Sequence, residues 1–164
     1  MAIRRTIEFL DGNQVKYVLL KHSHAFAAQD VAASAHVPAR TFAKTIVVKV
    51  DGRLALAVVP ATRQIDLGLL RIACGALEVE IADEYEFAGR FDGCQLGTMP
   101  PFGNLFGLPT YLDVALAMRT FIAFNAGSHT DVVVMRFADY KRLAHPKVVS
   151  LSAPPITQLA EALC

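Results

Sequence analysis

The chain of 164 residues lacks any apolar run near the roughly 18 residues that a membrane-crossing helix needs. Its longest apolar stretches, such as Leu54–Val59, are the length of a strand. The start, Met1-Ala2-Ile3-Arg4-Arg5, passes at once to Thr6, Glu8 and Asp11, without the apolar core of a secretory leader. Only three cysteines are present (Cys74, Cys94 and Cys164), with no CxxC spacing. An odd, unclustered set argues against a disulfide framework and for a reducing, cytoplasmic setting. There is no Walker A loop, no GxGxxG and no GxSxG. Internal repeats and low-complexity tracts are absent as well.

What remains is an apolar chain, 54% hydrophobic and 19% charged, able to bury one core. Its length predicts a single domain, set here at residues 1–151, with 152–164 as a C-terminal tail. The net charge of +1 hides an asymmetry. Residues 1–73 carry ten Lys/Arg against five Asp/Glu, and residues 74–100 carry one against six. The basic part can face a polyanion; equally, it can be a solvated surface of mixed sign.

Periodicity predicts helices over 3–12, 27–36, 67–73 and 138–144, with short turns of helix at 84–87 and 114–118. Strands are expected at 15–20, 43–50, 53–59, 77–81, 110–112, 121–124, 132–136 and 148–151. The clearest local signal is Asp51-Gly52 between two β-rich runs, because a two-residue hairpin needs positive φ at both positions. Strands interspersed with short helices do not follow a regular βαβ alternation. The expected class is mixed α/β (α+β): a mostly antiparallel, barrel-like sheet with flanking helices.

Residues 93–109 stand apart, because seven of these 17 are glycine or proline. A loop this long in a compact domain, carrying Phe102, Leu105, Phe106 and Leu108, reads as an ordered wall of a site. Within it, Gly97-Thr98-Met99-Pro100-Pro101 fits GxxxP, in which glycine permits close backbone approach and proline stiffens the chain. Such a loop can aim N–H groups at an oxyanion, and it can equally be a rigid connector. Lys44, near a strand end, shares a face with Ile46, Val48 and Val50, where an ammonium reaches either a pocket mouth or plain water. His129 follows Gly127-Ser128 at a strand start; adjacent residues of an extended segment point to opposite faces, so Ser128, His129 and Asp131 make no triad. His22 and His24 invite a metal reading without a supporting third ligand at suitable spacing. Cys74 and Cys94 lack a visible thiolate-favouring setting.

Several segments, in order, resemble the YbaK/ProX family. They are His22-Ser23-His24-Ala25-Phe26-Ala27-Ala28-Gln29-Asp30-Val31-Ala32, Ala43-Lys44-Thr45, Gly97-Thr98-Met99-Pro100-Pro101-Phe102-Gly103, Leu108-Pro109-Thr110-Tyr111-Leu112-Asp113 and Asn125-Ala126-Gly127-Ser128-His129. The resemblance spans about residues 15–150. It implies an aminoacyl-tRNA deacylase that edits in trans, hydrolysing the ester of small residues such as Ala, Ser or Cys on proline tRNA. The alternative is a tRNA-binding module of the same fold without turnover. Lys44, Gly97 and His129 are implied as catalytic. His22, Phe26, Thr45, Ile46, Thr98, Met99, Pro100, Pro101, Gly103, Asp113, Gly127 and Ser128 are implied as substrate-binding. Where many relatives have a threonine ahead of the second helix, this chain has Ala27. No metal and no cofactor are expected. The implied partners are the acceptor end of mischarged tRNA and a synthetase. In the family picture the ribose 2′-hydroxyl helps position water, so no protein nucleophile is required.

Overall fold

The computed structural model describes residues 2–22, 27–91, 94–95 and 97–153. Phe26, His24 and Cys164 lie outside the described residues.

An amphipathic helix, α1 (Ala2–Gly12), buries Leu10 and leads to strand β1 (Tyr17–Lys21). Helix α2 (Ala28–Ser34) buries Val31 and Ala32 and ends ahead of Pro38, which cannot continue a helix. Then comes the predicted hairpin, β2 (Phe42–Val50) and β3 (Arg53–Pro60), paired from Ala43↔Pro60 to Val50↔Arg53. Asp51 (φ 49°) and Gly52 (φ 80°) both take positive φ, which matches the right-handed twist of the strands they join. A two-residue strand, β4 (Gln64–Ile65), precedes α3 (Leu67–Cys74). Asp66 caps α3 by accepting the Leu69 N–H, and Gly75 ends it in the left-handed conformation.

β5 (Val79–Ile81) and the one-turn helix α4 (Glu84–Phe87) follow, the latter opened by a capping box between Asp83 and Glu86. The long loop holds a short 3₁₀ turn at Gly103–Phe106. The rest is β6 (Thr110–Asp113), α5 (Val114–Ala117), β7 (Phe121–Asn125), β8 (Asp131–Arg136), α6 (Phe137–Ala144), β9 (Lys147–Val149) and β10 (Ser152–Ala153).

The main sheet runs β1-β8-β7-β2-β3-β6-β9, with β5 added to β2. The β1/β8, β7/β8, β2/β3 and β2/β5 pairs are antiparallel; β2/β7, β3/β6 and β6/β9 are parallel. The fold is therefore mixed α/β with one large mixed sheet and flanking helices. Ser152 and Ala153, assigned from sequence to the tail, instead pair with Ile65 and Gln64, and Ser152 is buried. A two-residue ladder leaves no alternating pattern for a sequence reading to catch.

β2 changes partners along one edge, and this shapes everything that follows. Phe42 and Ala43 pair with β7, while Val48–Val50 pair with β5. Residues 44–46 have no strand partner on that edge among the described residues. One face of the β2/β3 hairpin packs Val48, Ala55, Ala57 and Val59 against Leu70 and Leu151. The other packs Val47 and Leu56 against Met99, Phe106 and Leu108 of the loop. The loop is also pinned from α6. The buried Tyr140 hydroxyl donates to the Pro101 carbonyl at 2.7 Å, and Phe102 meets Tyr140 and Phe124 edge-on at 5.1 and 5.5 Å. Such ring pairs contribute roughly 0.5–1.5 kcal/mol each beyond area burial. Among the described residues, no helix is long and apolar enough to cross a membrane.

Candidate active site

A cavity of about 860 Å³ opens where β2 lacks its second partner. Its wall includes Lys44, Thr45 and Ile46 of β2, Asn125 at the end of β7, Gly97 and Met99 of the loop, and Ala27–Asp30 at the start of α2. Arg63, Gln64 and Ala153 complete one side.

Strand geometry decides what β2 presents here. The Thr41 and Val47 carbonyls accept N–H groups from Ala123 and Ala82, on the edge away from β3. The Phe42 carbonyl accepts from Ala61, on the β3 side. Backbone polar groups alternate edges residue by residue, so Thr45 turns its N–H and C=O toward the gap. Side chains alternate too. Lys44 leaves from the α3 face, and its ammonium donates to the Arg63 carbonyl at 3.3 Å. Burial lowers the Lys44 pKa from the ordinary lysine value, because desolvation penalises the charged form.

Opposite β2, Gly97 has φ 80°, and an added Cβ would meet nothing within 4 Å. The main chain is thus open to a ligand at that point. Met99 stands behind it, buried, and also walls a smaller cavity of about 260 Å³ with Phe87, Phe91 and Cys94. Burial pushes the Cys94 thiol up to about 11. Only a trace of thiolate is then present at pH 8, so Cys94 is expected to resist iodoacetamide at that pH in mass-spectrometric labelling. Labelling at the rate of a free thiol would contradict the assigned burial.

The other sequence-derived candidates are distributed differently. Thr98 is buried, and its hydroxyl donates to the Gln95 carbonyl at 2.5 Å. Pro101 receives Tyr140, and Pro100 accepts the Phe102 N–H, so both shape the loop from behind. Gly103 is packed so tightly that an added Cβ would lie 2.4 Å from the Leu108 carbonyl oxygen and from Thr110 Oγ1. Asp113 is 1% exposed; it caps α5 through the Ala115 N–H and accepts the Leu151 N–H at 2.9 Å. These five residues hold the wall and do not line the cavity.

Ser128 is tied to the Asp131 carboxylate at 2.5 Å within a turn begun by Gly127 (φ 107°). His129 is buried, and its N–H donates to Gln95 Oε1 at 2.7 Å. His22 donates its N–H to the Thr130 carbonyl, extending the β1/β8 pairing. The structure thus gathers His22, Gly127, Ser128 and His129 at one end of β8, off the cavity lining. Gln95 joins this turn to the loop: its N–H reaches the Gly127 carbonyl and its own carbonyl holds Thr98. Neither Gln95 nor Arg63 stood out in the sequence, since each is a common polar residue between elements. Among the described residues, no group of three His, Cys, Asp or Glu is placed to hold a metal.

The chain belongs to the aminoacyl-tRNA editing domain family, whose model matches residues 22–143. It is an aminoacyl-tRNA deacylase, a hydrolase of the ester that joins an amino acid to tRNA. The multifunctional Ser/Thr-tRNA deacylase ProXp-y of Escherichia coli (strain K12) is 36% identical over 113 residues, covering 66% of this chain and 67% of that protein. A crystal structure of a candidate trans-editing enzyme for prolyl tRNA synthetase superposes with a TM-score of 0.77 at 21% identity, covering 93% of this chain and 98% of that one. A crystal structure of a hypothetical protein gives 0.80 at 16% identity, covering 91% and 99%. At these identities the two structures speak to fold alone.

Proposed function

We propose that the cavity holds the terminal aminoacyl-adenosine of tRNA and releases small residues, serine and threonine first and alanine after them. The single observation that carries this reading is the break in strand pairing at residues 44–46, which brings an ammonium and a main-chain N–H to one opening. The relative's activity toward Ser/Thr-tRNA supports the cargo.

Hydrolysis needs water at the ester carbonyl carbon, cleavage of the bond to the ribose oxygen, and a proton returned to that oxygen. An aminoacyl ester is already activated, so positioning and charge stabilisation suffice. Lys44 supplies a fixed positive charge, and the Thr45 N–H supplies a donor for the developing oxyanion. Gly97 lets the aminoacyl group lie against the main chain. Cys94 lies off this cavity and Ser128 is engaged with Asp131, so neither acts as nucleophile in this reading. The vicinal ribose hydroxyl orients the water. Gln95, held to His129, keeps the loop at its distance from β2, which makes both of them positioning residues.

Ile46 and Met99 bound the cavity and exclude large cargo. A methylene more or less changes binding by only about 1–3 kcal/mol, so the identity of the tRNA must come from contacts beyond this cavity. We assign those contacts to the acceptor stem and to a synthetase partner, and the setting to the cytoplasm where charged tRNA is used.

The test is release of amino acid from a panel: serine, threonine, alanine and cysteine on proline tRNA, with cognate proline as control. Seryl and threonyl esters are expected to be cleared fastest and the prolyl ester spared. Equal clearance of prolyl-tRNA would remove the size-based reading of Ile46 and Met99.

A further inference from the structure

Two cationic side chains, Lys44 and Arg63, stand on the cavity wall. Arg63 lies between β3 and β4 and is partly buried. Its carbonyl accepts the Lys44 ammonium at 3.3 Å, while its guanidinium Nη1 lies 3.5 Å from the Ser152 hydroxyl. No ion pair among the described residues involves either cation. Among the described residues, the one carboxylate on the lining is the exposed Asp30 of α2. Two partly buried cations without carboxylate partners favour an anionic ligand, since desolvated charge is costly until it is paired.

The placement of Arg63 is built from deep in the fold. Buried Asp113 accepts the Leu151 N–H; the Leu151 carbonyl accepts the Asp66 N–H at 2.8 Å. Ser152 and Ala153 then pair with Ile65 and Gln64, directly after Arg63. Asp113 therefore serves the site from a distance, as the anchor of this β4/β10 clip.

We propose that Arg63 forms a phosphate subsite: its guanidinium binds a phosphodiester of the single-stranded acceptor end while its carbonyl holds Lys44 at the ester. The inference rests on the deacylase reading and adds a contact to it. A guanidinium forks onto phosphate oxygens in a way that a serine hydroxyl, its neighbour here, does not satisfy. The acceptor end offers a phosphate at each nucleotide, whereas the aminoacyl group carries none.

The experiment compares wild type, Arg63→Ala and Arg63→Lys on two substrates with the same amino acid: mischarged tRNA, and the aminoacyl ester of adenosine, which has no phosphate. Arg63→Ala is expected to raise KM for the tRNA about tenfold with little change in kcat. Hydrolysis of the adenosine ester should be unchanged. The slope of log kcat/KM against log salt should fall by about 0.7, one single-strand phosphate contact. Arg63→Lys should restore part of the loss. Equal losses on both substrates, or a fall in kcat alone, would overturn the proposal and place Arg63 behind Lys44 or the fold. Failure of the wild type on both substrates would count against the deacylase reading. The subsite is then read from binding of uncharged tRNA, where an Arg63→Ala affinity equal to wild type overturns it.

Discussion

Replacing Lys44 by alanine is expected to lower kcat for deacylation by about two to three orders of magnitude, the usual cost of removing one preorganised group that stabilises the charge developing in the transition state. The fold should survive. The lysine is only partly buried and its partner, the Arg63 carbonyl, can turn to water once the ammonium is gone. A melting temperature close to wild type, with tRNA binding reduced much less than kcat, is the expected pattern. The pH dependence has a defined sign. The ammonium acts while protonated, and burial lowers its pKa. The Lys44-dependent part of the rate, wild type minus variant, should therefore fall as pH rises, with its midpoint below the ~10.4 of a free lysine. A midpoint above that value would mean that an anion, not burial, governs the ammonium.

The largest expected effect on stability lies at Gly103. An added methyl would sit 2.4 Å from both the Leu108 carbonyl oxygen and Thr110 Oγ1, well inside contact distance. Neither neighbour can yield cheaply. The first is backbone, and Thr110 Oγ1 accepts the Gly103 N–H at 2.9 Å in a buried bond. Phe102, next in the chain, is fully buried against Tyr140 and Phe124, so the strain passes into the core. Gly103→Ala is expected to cost about 3 kcal/mol in urea denaturation, the upper range for overpacking. Activity should fall too, because Gly97 and Met99 belong to the displaced loop. Gly107→Ala is the control. It has φ 68° but open space around an added Cβ, so only the left-handed backbone cost of about 1–2 kcal/mol applies. Equal effects at the two positions would show that packing at Gly103 is not the cause.

What the sequence could show was local. Asp51-Gly52 marked the hairpin because turn chemistry sits in two adjacent residues. The span of α3 was legible for a similar reason, since its cap Asp66 and its stop Gly75 lie directly beside it in the chain. The density of glycine and proline around Gly97 marked a wall of the cavity. The break in β2 was invisible, because it depends on β7 and β5 joining the same edge from distant parts of the chain. The parallel pairings of β2/β7, β3/β6 and β6/β9 were hidden likewise. Asp113 read as a substrate contact, yet its carboxylate is spent on two backbone N–H groups. A cap and a ligand use the same residue type, and only burial separates them. Arg63 gave no signal at all; its significance comes from the β4/β10 pairing that follows it.

The central claim is that this cavity turns over an ester, and does not merely bind tRNA. Release of labelled serine from mischarged tRNA by excess protein, followed in a single turnover with chelator present, tests it most directly. The expected result is release at least about a hundredfold faster than the uncatalysed ester, unaffected by chelator and lost in Lys44→Ala. A protein that binds the same tRNA with salt-sensitive affinity while the ester decays at its spontaneous rate would contradict the account and identify a binding module.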